Sequence, residues 1–447
     1  MTQRNPTRLL LFASALLLAP SLYAQTGGQT IPDDPNHAVQ DYAASITVAD
    51  PRNPIASKPG ALTLQQVLDA ARLHNPTLLA AERNLSAVRA QEIQAAVRQN
   101  PYLQINGSEI TYGANDASPY TYTAQLSRLF ERGEKRRWRI DDAKATTAET
   151  SAQLEDQIRQ TNLTIKTAFT QMLEAKASLQ LTTAALKEFQ HEVDIAEIRY
   201  HAGDLARIDF ERLDLQVASF ESSEATDMVN LRQASAQLQT LIGSATINPD
   251  FDIAGSIVPP TVPQTLADLT QTALDKRPDL SAAKFAVDAA VANQKLTFAN
   301  GTTDPTLELE YDRAGHENSV GFYVNIPLRL FDRNQGNKQT SIFQTQASRF
   351  TLTAAHNQVV SDVDQAFAGY LQSKRLSDRY TNHYLDETKD VLSIAQYAFE
   401  HGGIALIDYL DAVRDTRTTD AAALAAYQQT WLAIHQLSAA SATELVP

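Results

Sequence analysis

The chain of 447 residues has no cysteine. That excludes a disulfide framework, a thiolate metal site and a cysteine nucleophile, and equally a lipid-modified cysteine as an anchor. Glycine is scarce at 16 residues, and neither a glycine-rich phosphate loop nor a nucleophile elbow occurs. The nine histidines are scattered, and His191-Glu192 lacks the second histidine of a zinc-protease helix. They are expected at the surface, with no metal site. With no acid–base or nucleophile constellation, the chain reads as not an enzyme, with no cofactor. Positive charge is the minority, 38 lysines and arginines against 52 acids for a net −14. An acidic surface repels nucleic acid, so none is expected as a partner.

Long apolar runs are missing too, with one short exception. Arg4 and Arg8 precede an apolar stretch from Leu9 to Ala19, and Leu22-Tyr23-Ala24 suits a cleavage site. Residues 1–24 therefore read as a secretory signal peptide. Its apolar run is about half the roughly 20 residues that a spanning helix needs. An exported chain is expected, anchored neither by a helix nor by lipid.

What is present is a unit written twice. Residues 25–60 carry Pro32, Pro35, Pro51, Pro54 and Pro59 with little apolar periodicity, and read as an extended arm. Thr63-Leu64 to Ala80-Ala81 then returns as Thr265-Leu266 to Ala282-Ala283, identical at 7 of 19 positions. Pro101-Tyr102-Leu103 echoes Pro305-Thr306-Leu307, and Leu129-Phe130-Glu131-Arg132 echoes Leu330-Phe331-Asp332-Arg333. Gly203 with Asp209 matches Gly402 with Asp408. Four landmarks in one order establish a duplication. The expected division is a first repeat over 61–243, a linker over 244–264, a second repeat over 265–440 and a short tail.

Each repeat reads as a helix, two strands and a long helical hairpin. Ile158, Ile165, Met172, Leu179, Leu186, Val193 and Tyr200 recur every seventh residue, with Thr161, Ala168, Ala175, Thr182, Phe189 and Ala196 three places on. That is a coiled-coil seam. The returning helix continues it through Phe210, Leu213, Val217, Phe220, Leu231, Ala234, Leu238 and Leu241. Glu224 and Asp227 interrupt it, as a solvated layer, the usual fate of charges, or as a pair facing a lumen. The expected tips lie near 203–209 and 402–411.

Strands are expected at about 102–112, 120–130, 306–313 and 319–328, alternating apolar with polar. Leu307, Leu309 and Tyr311 oppose Glu308, Glu310 and Asp312, and Val320, Phe322, Val324 and Ile326 oppose Gly321, Tyr323 and Asn325. Such strands suit a membrane barrel or a sheet lying on helices. Export and rods too long for a compact domain favour the barrel. Four strands cannot close one, since about eight are needed, and open edges are not tolerated in lipid. Strands pooled from three copies would number twelve. Glu308, Glu310 and Asp312 would then line the lumen. The basic run from Arg132 to Arg139 follows a strand directly, and suits anionic headgroups or a plain solvated helix start.

The segment Ile326-Pro327-Leu328-Arg329-Leu330-Phe331-Asp332-Arg333-Asn334-Gln335-Gly336-Asn337, the two Pro-x-Leu helices and the two Gly-to-Asp tips together resemble the TolC family of outer-membrane efflux proteins. Within it, Pro327, Phe331, Asp332, Arg333 and Gly336 resemble the CzcC-like branch linked to heavy-metal efflux. The resemblance implies a mostly α fold with a small β part: a homotrimer with a twelve-stranded barrel in the outer-membrane lipid and an α-helical periplasmic tunnel. It implies as partners a periplasmic adaptor (membrane fusion) protein and an inner-membrane pump of the resistance-nodulation-division type. Asp408 and Asp411 match the aspartates that ring the family's periplasmic entrance, and such a ring attracts cations. Gly203, Leu205 and Asp209, with Gly402 and Ile404, match the tips that meet the adaptor. Arg212 stands where the second repeat has Asp411, so the tips differ. A passive exit duct for small solutes, among them divalent metal cations, is the expected function. The alternative is a periplasmic coiled-coil adaptor or scaffold that never enters a membrane.

Overall fold

The computed structural model describes residues 50–108 and 120–446. The signal peptide, the arm up to residue 49, the loop at 113–119 and the first strand's expected end at 109–112 lie outside the described residues.

The order of elements runs through one set and then again through its likeness. Helices α1 (Leu64–His74) and α2 (Pro76–Ala96) lead to strands β1 (Tyr102–Ser108) and β2 (Thr121–Leu129), then to helices α3 (Lys135–Ala202) and α4 (Arg207–Ile242). Helices α5 (Leu266–Lys276) and α6 (Pro278–Ala299) lead to β3 (Thr306–Ala314) and β4 (Glu317–Asn325). Helix α7 (Gln335–Arg379), a π turn over Tyr380–Tyr384, α8 (Leu385–Glu400) and α9 (Leu406–Ser441) follow. No described helix is long and apolar enough to cross a membrane.

The repeated sequence signals act through repeated local physics. Thr63 caps α1 in a reciprocal box with Gln66, and Thr265 accepts from the Asp268 amide at the start of α5. Proline follows at the first position of α2 and of α6, where its missing N–H costs nothing. Residues 75 and 277 then diverge in chemistry and agree in task. Asn75 caps α2 and donates 2.7 Å to the Leu241 carbonyl at the end of α4. Buried Arg277 pairs with Asp279 at 2.5 Å and Asp362 at 2.8 Å, and reaches the Ala440 carbonyl at the end of α9. Each ties a tight corner to the last turn of its own returning helix.

Three apolar clusters lie along the helices. One gathers Val67 and Ala71 of α1 with Ile165, Met172, Leu238, Leu424 and Tyr427. A second joins Leu269 and Ala273 of α5 to Val359, Val363, Ile434 and Leu437. The third packs the hairpins together through Phe189, Phe220, Leu213, Leu406, Tyr409 and Val413. Every residue of the α3 heptad seam is buried or half-buried. Residues 244–264 are no loose spacer: Leu62 bridges in parallel to Ile253, and Ile253 and Ile257 are buried in the core.

The strands form one antiparallel sheet in the order β1-β2-β3-β4. β4 begins at Glu317 and ends at Asn325, so Ile326, Pro327 and Leu328 fall beyond it. Proline cannot donate to a ladder, which suits its place past the strand's end.

Candidate functional site

The register sorts the sheet into two faces. Leu103, Leu126, Leu309 and Phe322 align across the four strands, with Ile105, Ala124, Tyr311 and Val320 in the next like-facing row. The opposite face aligns Gln104, Gln125 and Glu310, then Asn106, Thr123, Asp312 and Ser319. Apolar Leu309, Tyr311, Phe322 and Val324 are exposed, whereas Glu308, Glu310 and Asp312 on the polar face are only partly so. Gln125 Nε2 donates to Glu308 at 2.9 Å, and Tyr323 Oη to Glu310 at 2.9 Å. β1 and β4 are open edges of the sheet within this chain. An apolar face this large and bare is foreign to a protein in water.

Strand passes to helix through a left-handed residue in both repeats, Glu134 (φ 59°) before α3 and Asn334 (φ 62°) before α7. The motif around Phe331 builds the second of these turns. Asp332 accepts from the Asn334 amide at 2.8 Å, the Arg333 amide donates to Gln335, and Asn334 Nδ2 donates to the Thr297 carbonyl. Gly336 opens α7 with free space around it, and Pro327 is exposed just past β4. Phe331 is 91% exposed, beside exposed Leu328 and Leu330.

The basic run is divided: Arg132, Arg136 and Arg137 are exposed, while Lys135 and Arg139 are packed into the junction. Lys135 is buried against Asp304 and the Thr302 carbonyl. Arg136 and Arg139 donate to the carbonyls of Ala95, Ala96 and Val97, where α2 ends, and Arg139 also pairs with Glu131. These cations satisfy orphan carbonyls at a helix C-terminus, a role that charge patterning does not reveal.

At the far end the two tips pack side by side, with Leu205 and Ile404 against the third apolar cluster. Gly203 (φ 87°) and Gly402 (φ 72°) take the left-handed conformation that reverses each chain, and a Cβ at either would meet nothing. Asp209 lies in the first turn of α4, with Arg212 at 4.0 Å. Asp408 lies in the first turn of α9, exposed, and Asp411 stands one turn on, paired with Arg414 at 3.1 Å. Asp408 and Asp411 thus share a face of α9, at the dipole end that favours carboxylates.

Between the hairpins lies a cavity of about 480 Å³ that sequence reasoning misses. Leu181, Phe189, Phe220 and Leu424 line it beside Glu188, Glu192, Asp227 and Asp420. Glu224 and Asp227 are half-buried and hydrogen-bonded across the hairpin: Thr183 donates to Glu224, and Ser178 and Thr182 to Asp227. Gln396 reaches across to Glu192 at 2.7 Å. Arg417 donates to Ser223 and lies 4.1 Å over the Phe220 ring. Asp420 is only 7% exposed and accepts no hydrogen bond among the described residues. Burial, then the charge of Asp50, raises its carboxyl to about 7. Burial, then the neighbouring Glu192, raises Glu188 to about 7 as well. A signal for Asp420 existed: it occupies the seam running through Val413, Thr416, Ala423 and Tyr427.

One histidine also departs from expectation. His435 is buried 3.0 Å from Thr170 Oγ1, and burial, then nearby Lys166, lowers it to about 3. It is a neutral core residue. No group of three or more His, Asp or Glu side chains suited to a metal ion occurs among the described residues.

A sheet with a bare apolar face, feeding two helical rods in duplicate, is the protomer architecture of an outer-membrane duct. Residues 67–244 and 269–443 match the outer membrane efflux protein family, and the chain belongs to that family. The cobalt-zinc-cadmium resistance protein CzcC of Cupriavidus metallidurans is 26% identical over 85% of this chain and 89% of its own length. The cation efflux system protein CusC of Escherichia coli K12 is 23% identical over 80% and 81%. A crystal structure of CusC shares the fold with a TM-score of 0.72, at 19% identity over 85% of this chain and 91% of that one. The open-state MtrE outer membrane channel of Neisseria gonorrhoeae has a TM-score of 0.71 at 20% identity, over 89% and 90%. The reading as a scaffold that never enters a membrane has no support.

Proposed function

We propose that three copies assemble into a passive duct, with twelve strands closed into a barrel and six hairpins forming a periplasmic tunnel. The observation that carries this is the four-stranded sheet whose apolar face is bare and whose edges are both unpaired. In lipid such edges must pair, and a second and third copy of the same sheet supply the partners. The chain is exported by residues 1–24 and carries no lipid. It performs no catalysis; an inner-membrane pump supplies the energy through a periplasmic adaptor that meets the tips at Gly203, Leu205, Asp209, Gly402 and Ile404.

The acidic residues suit cations at both ends. Glu308, Glu310 and Asp312 from each copy form rings in the barrel lumen. Asp408 and Asp411 from each copy form the narrow periplasmic gate. Such rings attract cations and repel anions without binding either tightly, as conduction requires. Divalent metal cations are the proposed cargo, supported by the acidic lumen and the likeness to CzcC and CusC.

The test is conductance of the purified protein in planar bilayers, wild type against Asp408→Ala/Asp411→Ala. Small, cation-selective currents that grow in the double variant support duct and gate together. Currents unchanged by the substitutions would move the gate elsewhere. A protein that stays soluble without detergent and never inserts would end the proposal.

A further inference from the structure

The second hairpin leaves the body through a defect that the first one lacks. Helix α3 is continuous for 68 residues, whereas its counterpart is divided by the π turn at Tyr380–Tyr384. A π turn holds an extra residue, so its carbonyls fall out of the regular ladder and bend easily or accept outside donors. Here the outside donor is Arg52, from the arm that precedes the first repeat. Its Nη1 donates to the Thr381 carbonyl at 3.1 Å, and its Nη2 to Asp386 Oδ1 at 2.7 Å. Asp50 ties the contact down. It accepts from the Arg52 amide at 2.7 Å, from Arg52 Nη2 at 2.9 Å and from Lys389 Nζ. From the inner side, Thr381 Oγ1 meets Tyr427 Oη of α9 at 2.9 Å, and Tyr427 is fully buried. The π turn is therefore gripped between the arm and the core.

The grip has the chemistry of a latch. The Asp50 side chain is 10% exposed, and its charge is tolerable there because several donors share it. Removing one donor leaves a nearly buried charge short of partners, which favours release of the whole contact over gradual slackening. The lever beyond it is long. Helix α8 has 16 residues, about 24 Å at 1.5 Å each, so a 10° change at the π turn moves the tip by roughly 4 Å.

We propose that Asp50 and Arg52 are positioning residues for the gate: they clamp the π turn, and release of the clamp lets the α8–α9 hairpin pivot there and carry its tip away from the gate axis. The part of this that concerns conduction rests on the Asp408/Asp411 gate; the hinge itself does not. The effector is this chain's own arm, acting on a bend about one helix-length from the tip.

The absence of cysteine permits a direct test. His401→Cys places one spin label per chain at the exposed tip, and in the full-length assembly the labels report tip-to-tip distances by pulsed electron resonance. Arg52→Gln is expected to lengthen or broaden the distribution by up to roughly 7 Å, since each of three tips moves by the lever estimate above. Asp50→Asn should do the same, and Arg52→Lys, which keeps the charge and loses the fork, should fall between. Lys389→Gln removes a single donor and serves if the stronger variants do not assemble; it should widen the tips by a smaller amount. Distances unchanged in every variant that assembles would overturn the proposal. Because the distance is read without current, widened tips with unaltered conductance would keep the clamp and refute the aspartate gate. Currents raised by Asp408→Ala/Asp411→Ala, with distances indifferent to the arm variants, would keep the gate and refute the clamp.

Discussion

The two repeats fold alike and are finished differently. In the first, α3 is unbroken to its tip, and α4 begins with Asp209 facing Arg212 at 4.0 Å. In the second, the ascending helix carries a π turn held by Asp50 and Arg52, and α9 begins with Asp408 and Asp411. The corners at Asn75 and Arg277 reach the same end by a neutral cap and by a buried ion pair. Duplication supplied two rods of one design, and divergence made one a strut and the other a lever. The cavity between them is lined by carboxyls, Glu188 and Asp420, that accept protons near neutrality.

The comparison breaks first at the tips. Asp408→Ala/Asp411→Ala should raise single-channel conductance several-fold and weaken cation preference, whereas Asp209→Ala in the strut should change either by less than twofold. Equal effects in bilayer recordings would erase the distinction. Next comes the packing of the strut. Phe220, stacked on Phe189 at 4.9 Å and fully buried, should cost about 3–5 kcal/mol as Phe220→Ala. Val413→Ala in the lever should cost about 1.5 kcal/mol, two methylene equivalents. Urea or thermal unfolding of the purified assembly ranks the two.

A smaller effect sharpens the contrast through pH. The carboxyl of Asp420 is raised from 3.8 to about 7, so its protonated form is favoured in the fold. The stability this represents is complete below pH 4 and is lost as pH rises through 7. Asp420→Asn should flatten that slope and stabilise the protein at pH 8 by on the order of 1–3 kcal/mol. A slope that persists unchanged in Tm against pH would shift the role to Glu188. The smallest effects belong to the turns. Gly203→Ala and Gly402→Ala meet no neighbour, so each should cost only about 1 kcal/mol of left-handed backbone strain. Circular-dichroism melts suffice to check it.

Much of this was legible in the sequence because it rests on periodicity. The α3 seam repeats every seventh residue, and the β3 alternation of Leu307, Leu309 and Tyr311 against acids set both faces of its strand. The positions of Gly203 and Gly402 marked the reversals, since few residues but glycine take that conformation cheaply. What stayed hidden depends on partners remote in sequence. Arg52 meets Thr381 across 329 residues, and Lys135 meets Asp304 across 169. A basic run or a proline-rich arm has no period from which such a contact could be inferred. Residues 244–264 looked like a linker because three or four buried side chains are too few to show a pattern.

The central claim, that one face of the sheet meets lipid and the other a lumen, is tested by two substitutions one residue apart. Leu309→Arg and Glu310→Arg would each be compared with wild type for insertion into lipid vesicles and for current in bilayers. Both sites lie in the middle of β3, and Leu309 is 53% exposed in the single chain. The account expects Leu309→Arg to impair insertion, at a cost of about 2–4 kcal/mol per chain, and Glu310→Arg to insert normally with reduced cation selectivity. Normal insertion of Leu309→Arg would contradict it.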